Sequence, residues 1–385
     1  MAESPQELYI HVPYPGDHYS FATGSAVPTV IYELSRRHAA HGGRTQVIVG
    51  AGTRHDYPVG ECVEVRFPGS LKKKQKAIDA GLGLLGLPRW MESAIYRPAS
   101  DAIPPTHTGP ICVHNSAGAL PLFKAAHKRA LVCLYAHNEL FGTYSQRETR
   151  RLVASLDRVL CCSRYIASEL EHRLGRASDK IRVVPNGVDI ERFRPAPQPP
   201  DAEVPIILFV GRMIPTKGAD LLLQAARKIY SPKRRFKVRL VGSRGFDANE
   251  PLTEYETLLR QIAAPMGDAV EFQPFVDRNR VVQEYQAASI FCAPANWNEP
   301  FGLVIAEALA CGLPTVVSRR GGIMECSGDA ALYFDPPDTD TLADHLACLV
   351  DDPQARAKWG ALARARAETL SWEAQYLKLR AALSE

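Results

Sequence analysis

The chain has 385 residues, 46% of them apolar and 23% charged, with a formal net charge of +4. That length exceeds what one hydrophobic core usually serves, so two domains are expected. The composition excludes a disordered or fibrous chain, and so slight a positive balance gives no case for nucleic-acid binding. Short apolar runs then alternate with helix-length amphipathic segments throughout. In the first half, residues 8–12, 45–49, 111–114, 131–135 and 158–161 read as strands, with helices over 26–40, 144–155 and 164–174. In the second half the series restarts with strand 205–210 and helix 219–229. It continues through strand 237–241, helix 253–264, strand 270–272, helix 279–288, strand 290–292, helix 303–310 and strand 315–317.

Alternating strands and helices predict α/β domains with parallel sheets covered on both faces, and two such series predict two Rossmann-like halves. Between them, Arg194-Pro195-Ala196-Pro197-Gln198-Pro199-Pro200 holds four prolines in seven residues, which neither a helix nor a central strand tolerates. The expected division is a first domain over 1–193, a stiff linker over 194–204 and a second domain over 205–370. A final helix over 371–385 is expected to pack back on the first domain. Ligands of open α/β sheets bind at strand carboxyl ends, so two domains facing across a cleft place the site there. The nine cysteines, at 62, 112, 133, 161, 162, 292, 311, 326 and 348, form no Cys-x-x-Cys pair and mostly lie in apolar runs. That is the pattern of reduced, buried thiols. With no basic-then-apolar leader and no run near the ~18 apolar residues of a membrane span, the expectation is a cytoplasmic protein.

Asn298-Glu299-Pro300-Phe301-Gly302-Leu303-Val304-Ile305-Ala306-Glu307 puts two carboxylates around a turn that opens an apolar helix. Eight positions bring Glu307 to within roughly 80° of the direction of Glu299, two turns along. The main-chain N–H groups of Gly302 to Val304 point out of the helix start, where bare donors and the helix dipole attract phosphate. Phe209-Val210-Gly211-Arg212-Met213-Ile214-Pro215-Thr216-Lys217-Gly218 is a strand ending in Gly211, then two cations before a helix. Arg212 is suited to fork onto two phosphate oxygens and Lys217 to act as a point charge; alone, the pair reads equally as solvated surface.

These motifs, with Val184-Pro185-Asn186-Gly187-Val188-Asp189, Gly312-Leu313-Pro314-Thr315-Val316, Gly321-Gly322-x-x-Glu325 and Ser371-Trp372-Glu373, resemble the retaining glycosyltransferases of family 4. The resemblance is nearly continuous over the second half and covers layout and a few points in the first. It implies the GT-B fold of two Rossmann-like domains. It implies that Arg212 and Lys217 hold the donor diphosphate, that Glu299 faces the donor sugar, and that Glu307 accepts hydrogen bonds from the nucleotide ribose. The main chain of Phe301, Gly302 and Leu303 would cap the distal phosphate, and the base edge would lie near Phe275 and Val276. Carboxylates accept from hydroxyls, and cations with helix dipoles neutralise diphosphate charge, so the direct reading agrees.

In the first half, Leu134-Tyr135-Ala136-His137-Asn138 puts a histidine just past a strand end. The resemblance implies that such a residue lies beside the reacting sugar carbon. His137 is therefore taken for acceptor positioning and sugar contact, with a packed, hydrogen-bonded core histidine as the other reading. His114 is the alternative. The loop before the first long helix carries Thr23-Gly24 where the family often has two glycines, so only Gly24 can bring main chain close to the donor. Asp338-Thr339-Asp340 has a cation-chelating spacing but reads better as a helix N-cap, and no Cys/His spacing suggests zinc. No metal or cofactor is expected. The segment from Lys72 to Trp90 has four lysines ahead of Ile78, Leu82 and Leu85. It reads either as a packed surface helix or as a basic amphipathic segment resting on the inner membrane face.

The function these readings imply is metal-independent, retaining transfer of a hexose or N-acetylhexosamine from a nucleotide diphosphate-sugar to an acceptor hydroxyl. A UDP-sugar is favoured, with a GDP-sugar open. The acceptor is a natural-product aminocyclitol or aglycone, or a lipid-linked or other cell-envelope glycan intermediate. The alternatives are a sugar-nucleotide epimerase of the same fold, which would turn over donor without acceptor, and a non-catalytic nucleotide-sugar-binding protein, which would bind donor and do nothing further.

Overall fold

The computed structural model describes residues 7–197, 204–231, 233–245 and 251–384. The chain forms two compact units. One comprises residues up to 21, 25–186 and those from 372; the other comprises 22–24 and 187–371.

The first unit is built on β1 (Leu8–Val12), β2 (Arg44–Gly50), β3 (Glu61–Val65), β4 (Pro110–His114), β5 (Leu131–Ala136), β6 (Arg158–Cys161) and β7 (Ile181–Val183). They form one parallel sheet in the order β3-β2-β1-β4-β5-β6-β7. Ile10 pairs with Ile111 and Ile111 with Val132, so the central strands run in register with apolar side chains on both faces. Such strands are hydrophobic throughout because helices cover the sheet on both sides. One face packs Ile10, Ile111, Val113, Val132 and Leu134 against Leu120, Phe123 and Leu152. The other packs Val47 and Val49 against Ile31 and Tyr32 of helix Ala26–Ala40. Helix Trp372–Ser384 belongs to this unit: Tyr376 Oη lies 3.0 Å from His38 Nδ1, and His41 pairs with Glu373 at 2.6 Å.

The second unit contains β8 (Ile206–Val210), β9 (Lys237–Val241), β10 (Val270–Gln273), β11 (Ile290–Ala293), β12 (Thr315–Ser318) and β13 (Leu332–Phe334). Its parallel sheet has the order β10-β9-β8-β11-β12-β13. The order reverses between β8 and β11, where carboxyl-end loops diverge and leave a crevice. Leu222, Leu223 and Ala226 of helix Ala219–Ile229 cover one face, and Ile305, Ala306 and Leu309 of helix Leu303–Ala310 cover the other.

Expected and observed elements agree to within a residue or two at most ends. β3, β7, β13 and helices Trp90–Asp101 and Leu120–Ala126 were not anticipated. β3 carries two glutamates in five residues and only half-buries its apolar side chains, and β7 and β13 have three residues each. Pairing with a neighbour, rather than local pattern, makes these strands. The units part at Asn186/Gly187, upstream of the expected 193/194. Residues 194–197 lie on the second unit, where Gln286 donates to the Arg194 carbonyl at 3.1 Å. Residues 198–203 of the expected linker lie outside the described residues.

Candidate functional site

The loops after β8 and β11 are joined main chain to main chain, Asn296 N–H donating to the Thr216 carbonyl at 2.9 Å. Gly218 makes this possible: it has φ +73°, and a Cβ there would stand 1.9 Å from the Pro294 carbonyl oxygen. Lys217 is thereby brought to Glu299, its Nζ 2.5 Å from Oε2, and the same oxygen accepts from Trp297 Nε1 at 2.8 Å. The Lys217 ammonium also stands 5.2 Å from the Trp297 ring centre. The Glu299 main chain is held from behind. Gly322 N–H donates to its carbonyl at 2.7 Å, and a Cβ on Gly321 would sit 2.5 Å from that oxygen. This close approach explains the glycine at 321.

Gly302 caps helix Leu303–Ala310 with φ 99° and ψ 71°. Among the described residues no main-chain acceptor meets the N–H groups of Gly302, Leu303 or Val304. They are the open donors of a helix start. Phe301 is buried beneath them, 2% exposed, so only its main chain is available to a ligand.

One turn further into the helix, Glu307 is 3% exposed. Tyr285 Oη donates to its Oε2 at 2.9 Å, and Arg278 Nη2 stands 2.8 Å from Oε1. That Oε1 lacks a well-directed hydrogen bond, so its contact with Arg278 is an ion pair with poor N–H alignment. Burial and the adjacent carboxylate push the Tyr285 phenol well above its ordinary pKa, which keeps it a donor.

Arg212, Glu307, Phe275, Val276, Gly211 and Gly24 line one cavity of about 110 Å³, partly open to solvent. Val210, Arg278 and Val304 complete much of its wall. Gly24 belongs to the second unit's set. Arg212 is exposed. Phe275 N–H is fixed by Ser243 Oγ at 3.1 Å. Lys217, in the turn after β8, and Glu299 and Phe301 to Leu303, just before Val304, stand outside that wall. The chemistry gathered here is a guanidinium, an ammonium, two carboxylates and a helix origin, at the carboxyl ends of β8 and β11. Such a set neutralises phosphate charge and accepts from hydroxyls.

His137 and His114 lie in the first unit, at the ends of β5 and β4. His114 is fully buried with both ring nitrogens engaged, which removes it as an alternative ligand contact. His137 is 6% exposed, and its main-chain N–H is held by Asn115 Oδ1 at 2.8 Å. Burial lowers its pKa to about 3. Asp338 caps helix Thr339–Asp351 by accepting from the N–H groups of Asp340 and Thr341, while Asp340 pairs with Lys228 at 2.6 Å. The two carboxylates therefore do not converge on one point. Arg278, Tyr285, Trp297 and His11 were not anticipated. Trp297, two residues before Glu299, was within reach of the motif, but the other three meet their partners only through the fold.

Within 72–90, helix Lys73–Leu84 buries Asp79 and Gly83. Gly83 lies so close to Glu148 that a Cβ would be 2.4 Å from its carboxylate oxygens, and Glu148 in turn grips the buried Arg89 at 2.7 Å. Ile78, Leu84, Leu85, Leu87 and Trp90 are exposed, Leu84 and Leu85 at 74% and 78%. These apolar side chains face outward, while Leu82 is half-buried and Asp79 and Gly83 are packed on the first unit. Among the described residues no helix is long and apolar enough to cross a membrane.

The description "Glycosyl transferases group 1" matches residues 190–366, and "Glycosyltransferase Family 4" matches residues 27–192. The D-inositol 3-phosphate glycosyltransferase 2 of Catenulispora acidiphila is 36% identical over 242 residues, 58% of this chain and 55% of the relative. The chain therefore spans about half the length of that relative. Spore coat protein SA of Bacillus subtilis is 29% identical over 280 residues, 68% of this chain and 74% of its own. In fold, the chain is similar to the Anabaena protein HepE, whose crystal structure was solved in complex with UDP and glucose. The TM-score is 0.72 at 18% identity, covering 99% of this chain and 100% of HepE.

Proposed function

The chain belongs to the group 1, family 4 glycosyltransferases of GT-B fold, and on that premise we propose that it moves a sugar from a nucleotide diphosphate-sugar to an acceptor hydroxyl with retention of anomeric configuration. The observation that carries this reading is that Arg212, Glu307 and Val304, in the open first turn of helix Leu303–Ala310, line one pocket at the carboxyl ends of β8 and β11. The nucleoside occupies that cavity, its base beside Phe275 and Val276 with Gly24 and Gly211 close by, and its ribose hydroxyls donate to Glu307. Arg212 forks onto the diphosphate. Lys217 exchanges its contact with Glu299 for a phosphate oxygen, which frees Glu299 to accept from the sugar's hydroxyls. The N–H groups at Gly302 and Leu303 meet the distal phosphate.

As the bond between the anomeric carbon and the phosphate oxygen breaks, negative charge grows on the diphosphate. Fixed donors aimed at that charge stabilise the transition state more than the ground state. The acceptor oxygen bonds to the anomeric carbon on the face the diphosphate leaves, and a phosphate oxygen takes the acceptor proton. The products are the glycoside and the nucleoside diphosphate. His137 positions the acceptor and contacts the sugar. Arg212, Lys217 and the helix start carry the charge that a metal would otherwise carry. A UDP-hexose or UDP-N-acetylhexosamine is the favoured donor. The acceptor is a hydroxyl-rich small molecule of cyclitol or aglycone type, or a cell-envelope glycan intermediate; the name of the Catenulispora relative supports the cyclitol class.

The test is a panel of UDP- and GDP-sugars with cyclitol acceptors, products followed by NMR in the presence of EDTA. Expected are an α-linked product from an α-linked donor, no loss on chelation, and a fall in turnover of roughly 10²-fold or more for Arg212→Ala combined with Lys217→Ala. Undiminished transfer by that double variant overturns the diphosphate assignment.

A further inference from the structure

Three imidazoles stand in a row at the carboxyl ends of β1, β4 and β5, which are neighbours in the first sheet. His11 Nδ1 is 2.9 Å from His114 Nε2, and His114 Nδ1 is 2.8 Å from His137 Nε2. Both contacts are nitrogen to nitrogen, so each requires one N–H and one lone pair. A neutral imidazole has one of each. His114, with both nitrogens engaged, must donate through one and accept through the other.

Only two arrangements satisfy both bonds with neutral rings. In the first, all three protons sit on Nδ1: His11 donates to His114, His114 donates to His137, and His137 presents an Nδ1–H. In the second, all three sit on Nε2, the direction of donation reverses, and His137 presents a bare Nδ1 lone pair. A mixed arrangement puts two N–H groups or two lone pairs face to face. A cationic ring does not relieve the constraint, because burial pushes all three pKa values down, those of His11 and His137 to about 3. Ring position is already fixed by other contacts. Tyr135 stacks on His137 at 4.4 Å and on His114 at 5.3 Å, and the left-handed Asn115, φ 56°, holds the His137 main chain. What the chain of rings adds is therefore the tautomer.

We infer that His11 and His114 are positioning residues which lock the three imidazoles into one common tautomer and so decide whether the Nδ1 of His137 donates to a ligand or accepts from it. The inference deepens the proposed function and rests on it only in assigning that ligand as the acceptor or the sugar. The two protons within the row move together or not at all, so a change at His11, which bonds to His137 only through His114, is felt at His137.

The experiment is two-bond ¹H–¹⁵N correlation NMR on the full chain labelled with ¹⁵N-histidine, which reads the protonated nitrogen of each ring without donor, acceptor or turnover. Resonances are assigned by single histidine variants. The expected result is one shared tautomer for His11, His114 and His137. His11→Phe and His114→Phe, which preserve ring volume, should each cost His137 its single tautomer, its two ¹⁵N shifts moving toward their average. His114→Gln, whose amide both donates and accepts, should keep it. Melting temperatures check that each variant is folded, and if His114→Phe is not, His11→Phe alone decides. Opposed tautomers in the wild type, or a His137 tautomer unmoved in His11→Phe, overturn the inference. Coupled tautomers together with full transfer by His137→Ala would leave it standing and remove the sugar-contact reading instead.

Discussion

Glu307 and His137 are both buried, and burial acts on them in opposite ways. Glu307 keeps a cation and a hydroxyl within 3 Å, at 2.8 and 2.9 Å, so its desolvation is offset on the spot. His137 has only neutral rings around it and stays neutral. The consequence is a pH dependence of stability. The histidines titrate near 6.5 in the unfolded chain and well below that when folded. Between about pH 3 and 6.5 the unfolded state therefore binds more protons, and stability rises with pH across that window. It is fully present above about 6.5 and lost as pH falls, by at most roughly 1.4 kcal/mol per pH unit for each histidine. Urea unfolding at pH 7.5 and pH 5.0 should show a loss of at least about 2 kcal/mol in the wild type and a smaller loss in His11→Phe. Equal losses would mean that His11 is not buried neutral. The placement of Arg212, Lys217, Glu299 and Glu307 was readable from sequence because each sits within a few residues of a strand end or a helix start. Arg278 was not, because nothing near Phe275 in the chain says that a guanidinium will meet a carboxylate on a helix 29 positions away, a pairing fixed at 2.8 Å.

On the proposed reading the helix Leu303–Ala310 faces phosphate only if its first turn stays open, and Gly302 holds that turn. At φ 99° a side chain is strained whatever the space, and a Cβ would also press on Ile305 Cδ1 at 2.8 Å. Gly302→Ala should cost about 1–2 kcal/mol in chemical denaturation and weaken UDP binding by calorimetry, with far-UV circular dichroism unchanged. A variant as stable as the wild type would show that the left-handed cap is dispensable. Apolar period and turn chemistry located this helix correctly from end to end. They missed β3, β7 and β13, because three to five residues with mixed polarity carry no period of their own and become strands only when a neighbour offers its main chain.

At the scale of the whole molecule, the basic segment over 72–90 is the feature least explained by folding. Its helix is tied to the first unit by Asp79, which accepts from the N–H groups of Met91 and Glu92 at 3.0 and 2.9 Å, and by the Arg89–Glu148 pair. Leu84, Leu85 and Trp90 remain 74%, 78% and 59% exposed near one end of that helix, and Lys72, Lys73, Lys74 and Lys76 are exposed at its other end. We propose that this segment rests on an anionic lipid surface, its lysines drawn to the headgroups and its exposed apolar side chains to the acyl boundary. Flotation with vesicles containing phosphatidylserine should recover the protein at low salt, and replacing the four lysines by glutamine should weaken recovery by roughly 10-fold or more, at about 1 kcal/mol per lysine. No salt-sensitive recovery of the wild type would reduce the segment to ordinary surface. By itself the sequence determined the two α/β series, the charged loops after two strand ends and the family, because those signals are local: a period of two or 3.6, a glycine before a helix, a charge one turn from a strand end. Only the tertiary structure decided that Lys217 rests on Glu299, that Arg278 meets Glu307 and that three histidines from distant strands touch. Each of those pairings depends on strand order. Where a parallel sheet reverses its winding, β1 lands beside β4 and β8 beside β11, and residues about a hundred positions apart become hydrogen-bonded neighbours.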